Sequence, residues 1–196
     1  MTILLLAGSP SLPSRSTRLL HHVGKKLASL GNPYIALHVL DLPPQALLHA
    51  DFNNVDIKTA KAQVAKAEAV VIATPVYKAA YSGILKAFLD LLPQEGLSGK
   101  LVLPLATGGS QSHMLALDYG LRPVLSSLSA RHVLPSIFVA DAQATWVEDR
   151  GLVLDDSIAQ RIDEGVANLS ASLHKLRQAA TTNFDPIPFA DVRCSV

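Results

Sequence analysis

The sequence predicts an α/β domain whose five-stranded parallel sheet is covered by helices on both faces. Two patterns carry this expectation. Short apolar runs of strand length alternate with segments whose apolar residues recur every three or four positions, the order expected when helices cross over between parallel strands. The runs are also apolar at successive positions, as in strands buried on both sides. Length adds a bound, since 196 residues divided into two cores would leave each small and marginal. Residues 1–180 are therefore assigned to one domain, and 181–196 to an extended or mobile C-terminal tail.

Each element follows from its residues. "TILLLA" (2–7) is the first strand. Ser16 is placed to cap a helix carrying Leu19, Leu20, Val23 and Leu27 that ends near Gly31. "YIALHVL" (34–40) is the second strand, and a Pro-containing irregular stretch leads to a short helix around 55–66. "AVVIA" (69–73) has the β-branched composition of a central strand. The loop "TPVYKAAYSG" then opens a helix with Leu85, Phe88, Leu89 and Leu92, closed by Pro93. "LVLPLA" (101–106) and "TGGSQS" repeat the strand-loop pattern before a helix over 113–129 that Gly120 and Pro123 should bend. "HVLPSIFVA" (132–140) is the fifth strand, broken at Pro135, and 156–178 the closing helix.

Composition narrows the function. Formal charge is +1, with 17 Lys and Arg among 16 Asp and Glu. No basic face is expected, and nucleic acid is excluded as a partner. No stretch reaches the roughly 20 apolar residues of a membrane span. The apolar start lacks a basic region and is too short for a signal peptide's core, so a cytoplasmic protein is expected. Cys194 is the only cysteine, which rules out an internal disulfide or a multi-thiolate metal site and reads as an incidental thiol in the tail.

Three loops, 8–15, 74–81 and 107–112, follow strands and precede helices, and so should share one sheet edge, where open α/β sheets bind ligands. The first offers the hydroxyls of Ser9, Ser14, Ser16 and Thr17, the Arg15 guanidinium and free helix-start N–H groups, a set suited to a phosphate dianion. A plain helix cap also explains the serines. The nucleoside-triphosphate and dinucleotide glycine motifs are both absent. In the second loop Tyr77 and Tyr81, beside Pro75, Val76 and Ala79, give flat apolar surface for a planar ring. The third adds Gly108 and Gly109 for close backbone approach, between Thr107 and Ser110. Phosphate at one loop and a flat ring between two others describe a mononucleotide such as FMN.

The segments "LAGSPSLPSRS", "ATPVYKAAYSGILKAFLDLLP" and "GKLVLPLATGGSQSHMLALDYGLRPVL" resemble the NADPH-dependent FMN reductase family, and most closely the flavin reductase component of two-component alkanesulfonate monooxygenase systems. The resemblance spans about residues 1–140. It implies a flavodoxin-like fold, with FMN reduced by NADPH and handed to a partner flavin-dependent monooxygenase. It also implies that Ser9, Ser14, Arg15 and Ser16 hold the FMN phosphate, that Pro75, Val76 and Tyr77 meet the isoalloxazine, and that Thr107, Gly108, Gly109 and Ser110 meet its pyrimidine side. Many relatives carry Arg directly after the "GSP" triplet where this chain has Ser11, one cation fewer for phosphate or NADPH.

Hydride transfer between stacked cofactors needs ring contact at about 3–3.5 Å rather than a catalytic triad. Accordingly no catalytic side chain is assigned, and the seven His show no metal-binding spacing. His113 is the one near the proposed site, either as a cofactor contact or as a helix-start cap. An electron carrier of flavodoxin type is the rival class, disfavoured by near-neutral charge where such carriers are acidic. A quinone, azo-compound or chromate reductase, or a regulatory flavin-binding module, remains open on the same scaffold. The broad apolar surface of 113–129 is expected to form a homodimer or homotetramer, with Tyr119 reaching towards a neighbouring site.

Overall fold

The computed structural model describes residues 2–147 and 151–181. The elements run β1 (Ile3–Ala7), α1 (Arg15–Ser29), β2 (Tyr34–His38), α2 (Pro44–Leu48), α3 (Val55–Lys66), β3 (Ala69–Tyr77), β4 (Ala80–Tyr81), α4 (Gly83–Leu89), β5 (Leu101–Gly108), α5 (Arg122–Ser127), β6 (His132–Val133), β7 (Ile137–Ala140), β8 (Ala144–Val147), β9 (Gly151–Leu154) and α6 (Asp156–Thr181). Thr181 ends α6. The rest of the expected tail, with Cys194, lies outside the described residues.

The main sheet has the order β2-β1-β3-β5-β6, with β7 also on β5 and the short β4 antiparallel on β3. It thus holds seven strand segments where five were expected. The difference is local, because β6 and β7 are two pieces of the predicted fifth strand, both parallel to β5. Pro104 explains the break. The Leu134 N–H donates to the Val102 carbonyl (2.8 Å), so alternate β5 residues, Pro104 among them, face this partner strand. Pro104 has no N–H to offer, and opposite it the partner strand is interrupted at 134–136, around Pro135.

Alternation along the strands divides the core. Ile3, Leu5, Val71 and Leu103 pack with Leu19, Leu20 and Val23 of α1 and Ile162 and Val166 of α6. Leu4, Leu6, Val70 and Ile72 pack with Ile57 of α3, Phe88 of α4 and Leu125 of α5. Helices therefore cover both faces, and the carboxyl ends of β1, β3, β5 and β7 share one edge.

Three readings need correction. The cap of α1 is Ser14, whose Oγ accepts the Thr17 N–H (3.2 Å), and Ser16 is buried inside the first turn. The expected single helix over 113–129 is a 3-10 turn (Gln111–His113), a π-helix (Ala116–Leu121) and α5. The Arg122 N–H reaches back five residues to the Leu117 carbonyl. Pro123, which cannot donate to the Tyr119 carbonyl, follows directly. Finally, the hairpin β8–β9 stands where no strands were expected.

Candidate active site

The hydroxyl-rich end of the candidate site is built around the turn after β1. The Gly8 N–H donates to the Ala73 carbonyl (2.8 Å). A Cβ on Gly8 would lie 2.8 Å from Leu85 Cβ, so this glycine lets α4 close against β1. Ser82, the cap of α4, ties the same point down by donating from Oγ to the Gly8 carbonyl and accepting the Leu85 N–H (3.3 Å). Thr74 Oγ1 accepts the Ser82 N–H (2.9 Å). The ends of β1 and β4, the middle of β3 and the start of α4 are thereby fixed relative to one another.

On that base sit buried hydroxyls. Ser9, Ser14 and Ser16 are nearly inaccessible, and Ser14 Oγ lies 3.0 Å from Ser16 Oγ. The Ser11 N–H donates to Ser9 Oγ (3.3 Å). The first turn of α1 contains no acidic residue, and its leading N–H groups have no helical acceptors, so an anion is favoured there. Arg15 is paired with Asp141. Sequence reading missed this carboxylate, yet it directly follows β7, at the edge where the binding loops gather.

The other end is flat and apolar. β3 runs on through Pro75, Val76 and Tyr77, then turns back as β4, pairing Val76 with Tyr81 and Tyr77 with Ala80. The expected loop is thus a hairpin. Its turn residues Lys78 (φ 49°) and Ala79 (φ 62°) are left-handed, as a two-residue turn of this twist requires. Tyr77 is 50% exposed, whereas Tyr81 is half-buried against the core and Gly120. Burial pushes the Tyr81 hydroxyl pKa up, leaving it protonated. Of the two tyrosines only Tyr77 lines the cavity.

One cavity of about 310 Å³ joins the two ends. Ser9, Ser14, Arg15 and Ser16 line it from the first loop, Pro75, Val76 and Tyr77 from the second, and Thr107, Gly108 and Gly109 from the third. Ser11, Pro13 and Asp141 join them. Gly109 faces open space, the nearest atom to a Cβ there being Asp141 Oδ2 at 4.0 Å. Gly108 differs, since its Cβ would lie 3.1 Å from Phe138 Cζ, which makes it a packing glycine. Ser110 and His113 do not line the cavity. Ser110 caps the 3-10 turn, its Oγ accepting the Ser112 N–H (3.3 Å), and His113 Nδ1 is buried without a partner among the described residues. Gln111 Nε2 donates to Gln143 Oε1 (2.8 Å), which also accepts the Ala140 N–H (3.1 Å), so the third loop is tied to the segment bearing Asp141.

The model of the family described as NADPH-dependent FMN reductase matches residues 1–145. The chain belongs to that family. It is 42% identical over 175 residues to the Escherichia coli K12 protein named FMN reductase (NADPH), covering 89% of this chain and 91% of the relative. The solved apo form of an NADH:FMN oxidoreductase (EMOB) superposes with a TM-score of 0.80 at 41% identity, covering 87% of this chain and 89% of that one. A flavodoxin from the domain Archaea, 11% identical with a TM-score of 0.60 and covering 89% of this chain and 99% of its own, shares the flavodoxin-like fold. The protein is an oxidoreductase that reduces FMN with NADPH.

The cavity residues fit an FMN reductase. Buried hydroxyls, free N–H groups and a guanidinium suit a phosphate, and Pro75, Val76 and Tyr77 suit a flat ring. Bound there, FMN supplies the hydride-accepting ring while the protein orients it. No three metal-ligating side chains cluster among the described residues. No described helix is long and apolar enough to cross a membrane.

Proposed function

We propose that FMN lies along this cavity with its phosphate on Ser9, Ser14, Arg15 and Ser16 and its ring on Pro75, Val76 and Tyr77. The pyrimidine side turns to Thr107, Gly108 and Gly109, with Ser110 and His113 behind them in the same loop. The observation that carries the reading is the polarity gradient of a single cavity, from buried hydroxyls to a half-exposed aromatic. These residues position the flavin and leave its outer face to the nicotinamide, and no side chain is required to move a proton. Reduced FMN then passes, in the cytoplasm, to a flavin-dependent monooxygenase acting on alkanesulfonates. Self-association into a homodimer or homotetramer is supported by exposed Met114, Leu115 and Tyr119 (79%) on and before the π-helix, whose neighbour β4 belongs to the ring-end hairpin.

Steady-state NADPH oxidation with FMN in large excess over protein tests the assignment. Saturable dependence on free FMN, by protein purified with little flavin, is expected. Full, non-exchanging flavin occupancy without turnover of free FMN would contradict it. Sedimentation should show an oligomer that Tyr119→Ala weakens, and a monomer under every condition at micromolar concentration would defeat that part.

A further inference from the structure

Beside the proposed flavin cavity lies a second one, of about 360 Å³. The two meet at Arg15, Thr107 and Asp141. Pro75, Val76 and Tyr77 line only the first, so the second opens away from the ring end. Its distinctive walls are Arg18 of α1 and Trp146 of β8. Residues 15 and 18 are three apart on a helix and share a face, which brings both guanidinium groups to this space.

The chemistry of the walls is specific. Arg18 Cζ lies 4.2 Å from the centroid of the Trp146 ring, so the planar cation rests on the indole while its edge donors stay free. Arg15 is engaged by Asp141, but among the described residues no carboxylate pairs with Arg18. Among the described residues that line it, two guanidinium groups stand against one carboxylate, an excess of positive charge. Trp146 is 49% exposed, so much of the indole beside Arg18 stays open to a ligand. A guanidinium without a carboxylate partner among the described residues, next to a flat aromatic surface and with the Thr107 and Thr145 hydroxyls alongside, matches a phosphate joined to a planar base.

We propose that this second cavity holds the adenosine-phosphate end of a dinucleotide, with Arg18 on a phosphate and the Arg18–Trp146 pair beneath or beside the base. The inference rests on the flavin assignment for its adjacent cavity. Two sources share this chemistry: the 2′-phosphoadenosine half of NADPH and the adenylate half of FAD.

Trp146 is the only tryptophan in the sequence, so occupancy is read from intrinsic fluorescence without turnover. Adenosine 2′,5′-bisphosphate and AMP, titrated separately into the wild-type protein, should give a saturable change from at least one of them. Arg18→Ala should raise that probe's dissociation constant about tenfold or more, as loss of a charge-assisted contact does. Arg18→Lys, which keeps charge but not the planar fork, should recover only part. In steady state, a rise in KM for NADPH but not NADH assigns the nicotinamide source, and a rise for FAD but not FMN assigns the flavin source. Absence of a saturable response to both probes, or equal affinities in wild type and Arg18→Ala, overturns the proposal. Direct FMN titration of the same samples reports separately on the flavin site.

Discussion

The two ends of the proposed flavin cavity are built to opposite standards. At the proposed phosphate end, hydroxyls are buried and bonded to one another, the turn that bears them is tied through Ser82 to β3 and α4, and Arg15 is held by Asp141. At the ring end a half-exposed tyrosine stands on a two-residue turn of left-handed backbone, close to a π-helix with exposed apolar residues. The rigid end supplies position and the open end supplies access. An enzyme that holds FMN and admits a nicotinamide to its ring needs both.

The contrast sets the size of each expected effect. Tyr77→Ala removes the largest apolar surface at the ring end and should weaken FMN binding about tenfold. Tyr77→Phe should keep most of the turnover, because no phenolic proton is used. Stopped-flow flavin reduction checks both, and loss of the hydride step in the Phe variant with FMN still bound would break the comparison. Asp141→Asn should tighten FMN about two- to fivefold by removing a carboxylate from the anion's surroundings, with the gain shrinking as salt rises. Fluorescence titration at low and high ionic strength measures it, and weaker binding would mean that Asp141 holds Arg15 in its productive place. Ala79→Gly should stabilise the fold by about 0.5–1 kcal/mol, since glycine accepts the left-handed turn without the Cβ penalty. A lower denaturant midpoint would show that the turn is not strained.

What sequence reading captured followed from local pattern. The apolar runs of β1, β3 and β5 and the short helix around 55–66 are each determined by neighbouring residues. Ser16 and Ser14 are both good caps, and only the actual turn geometry after Pro13 selects Ser14. Gly120 and Pro123 signalled a disturbed helix, but whether the chain would bend or widen to a π-helix depends on packing against Tyr81. Asp141 and Trp146 were missed for a different reason. Each acts through a partner in α1, far away in sequence, and neither belongs to a local motif. The position of Asp141 at the end of a parallel strand was the available signal. The strands β8 and β9 are four residues each and half-exposed, so the short run "LVL" lacked the length that marks β1, β3 and β5.

The central claim is that the Ser-rich turn and Arg15 hold the flavin's phosphate. The direct test is the affinity of wild type and Arg15→Ala for FMN and for riboflavin, which lacks that phosphate, by flavin fluorescence. Arg15→Ala should weaken FMN on the order of tenfold to a hundredfold, leave riboflavin nearly unchanged and so narrow the preference between them. Equal FMN affinity in a folded Arg15→Ala protein, or an equal loss for both flavins, would place the phosphate elsewhere.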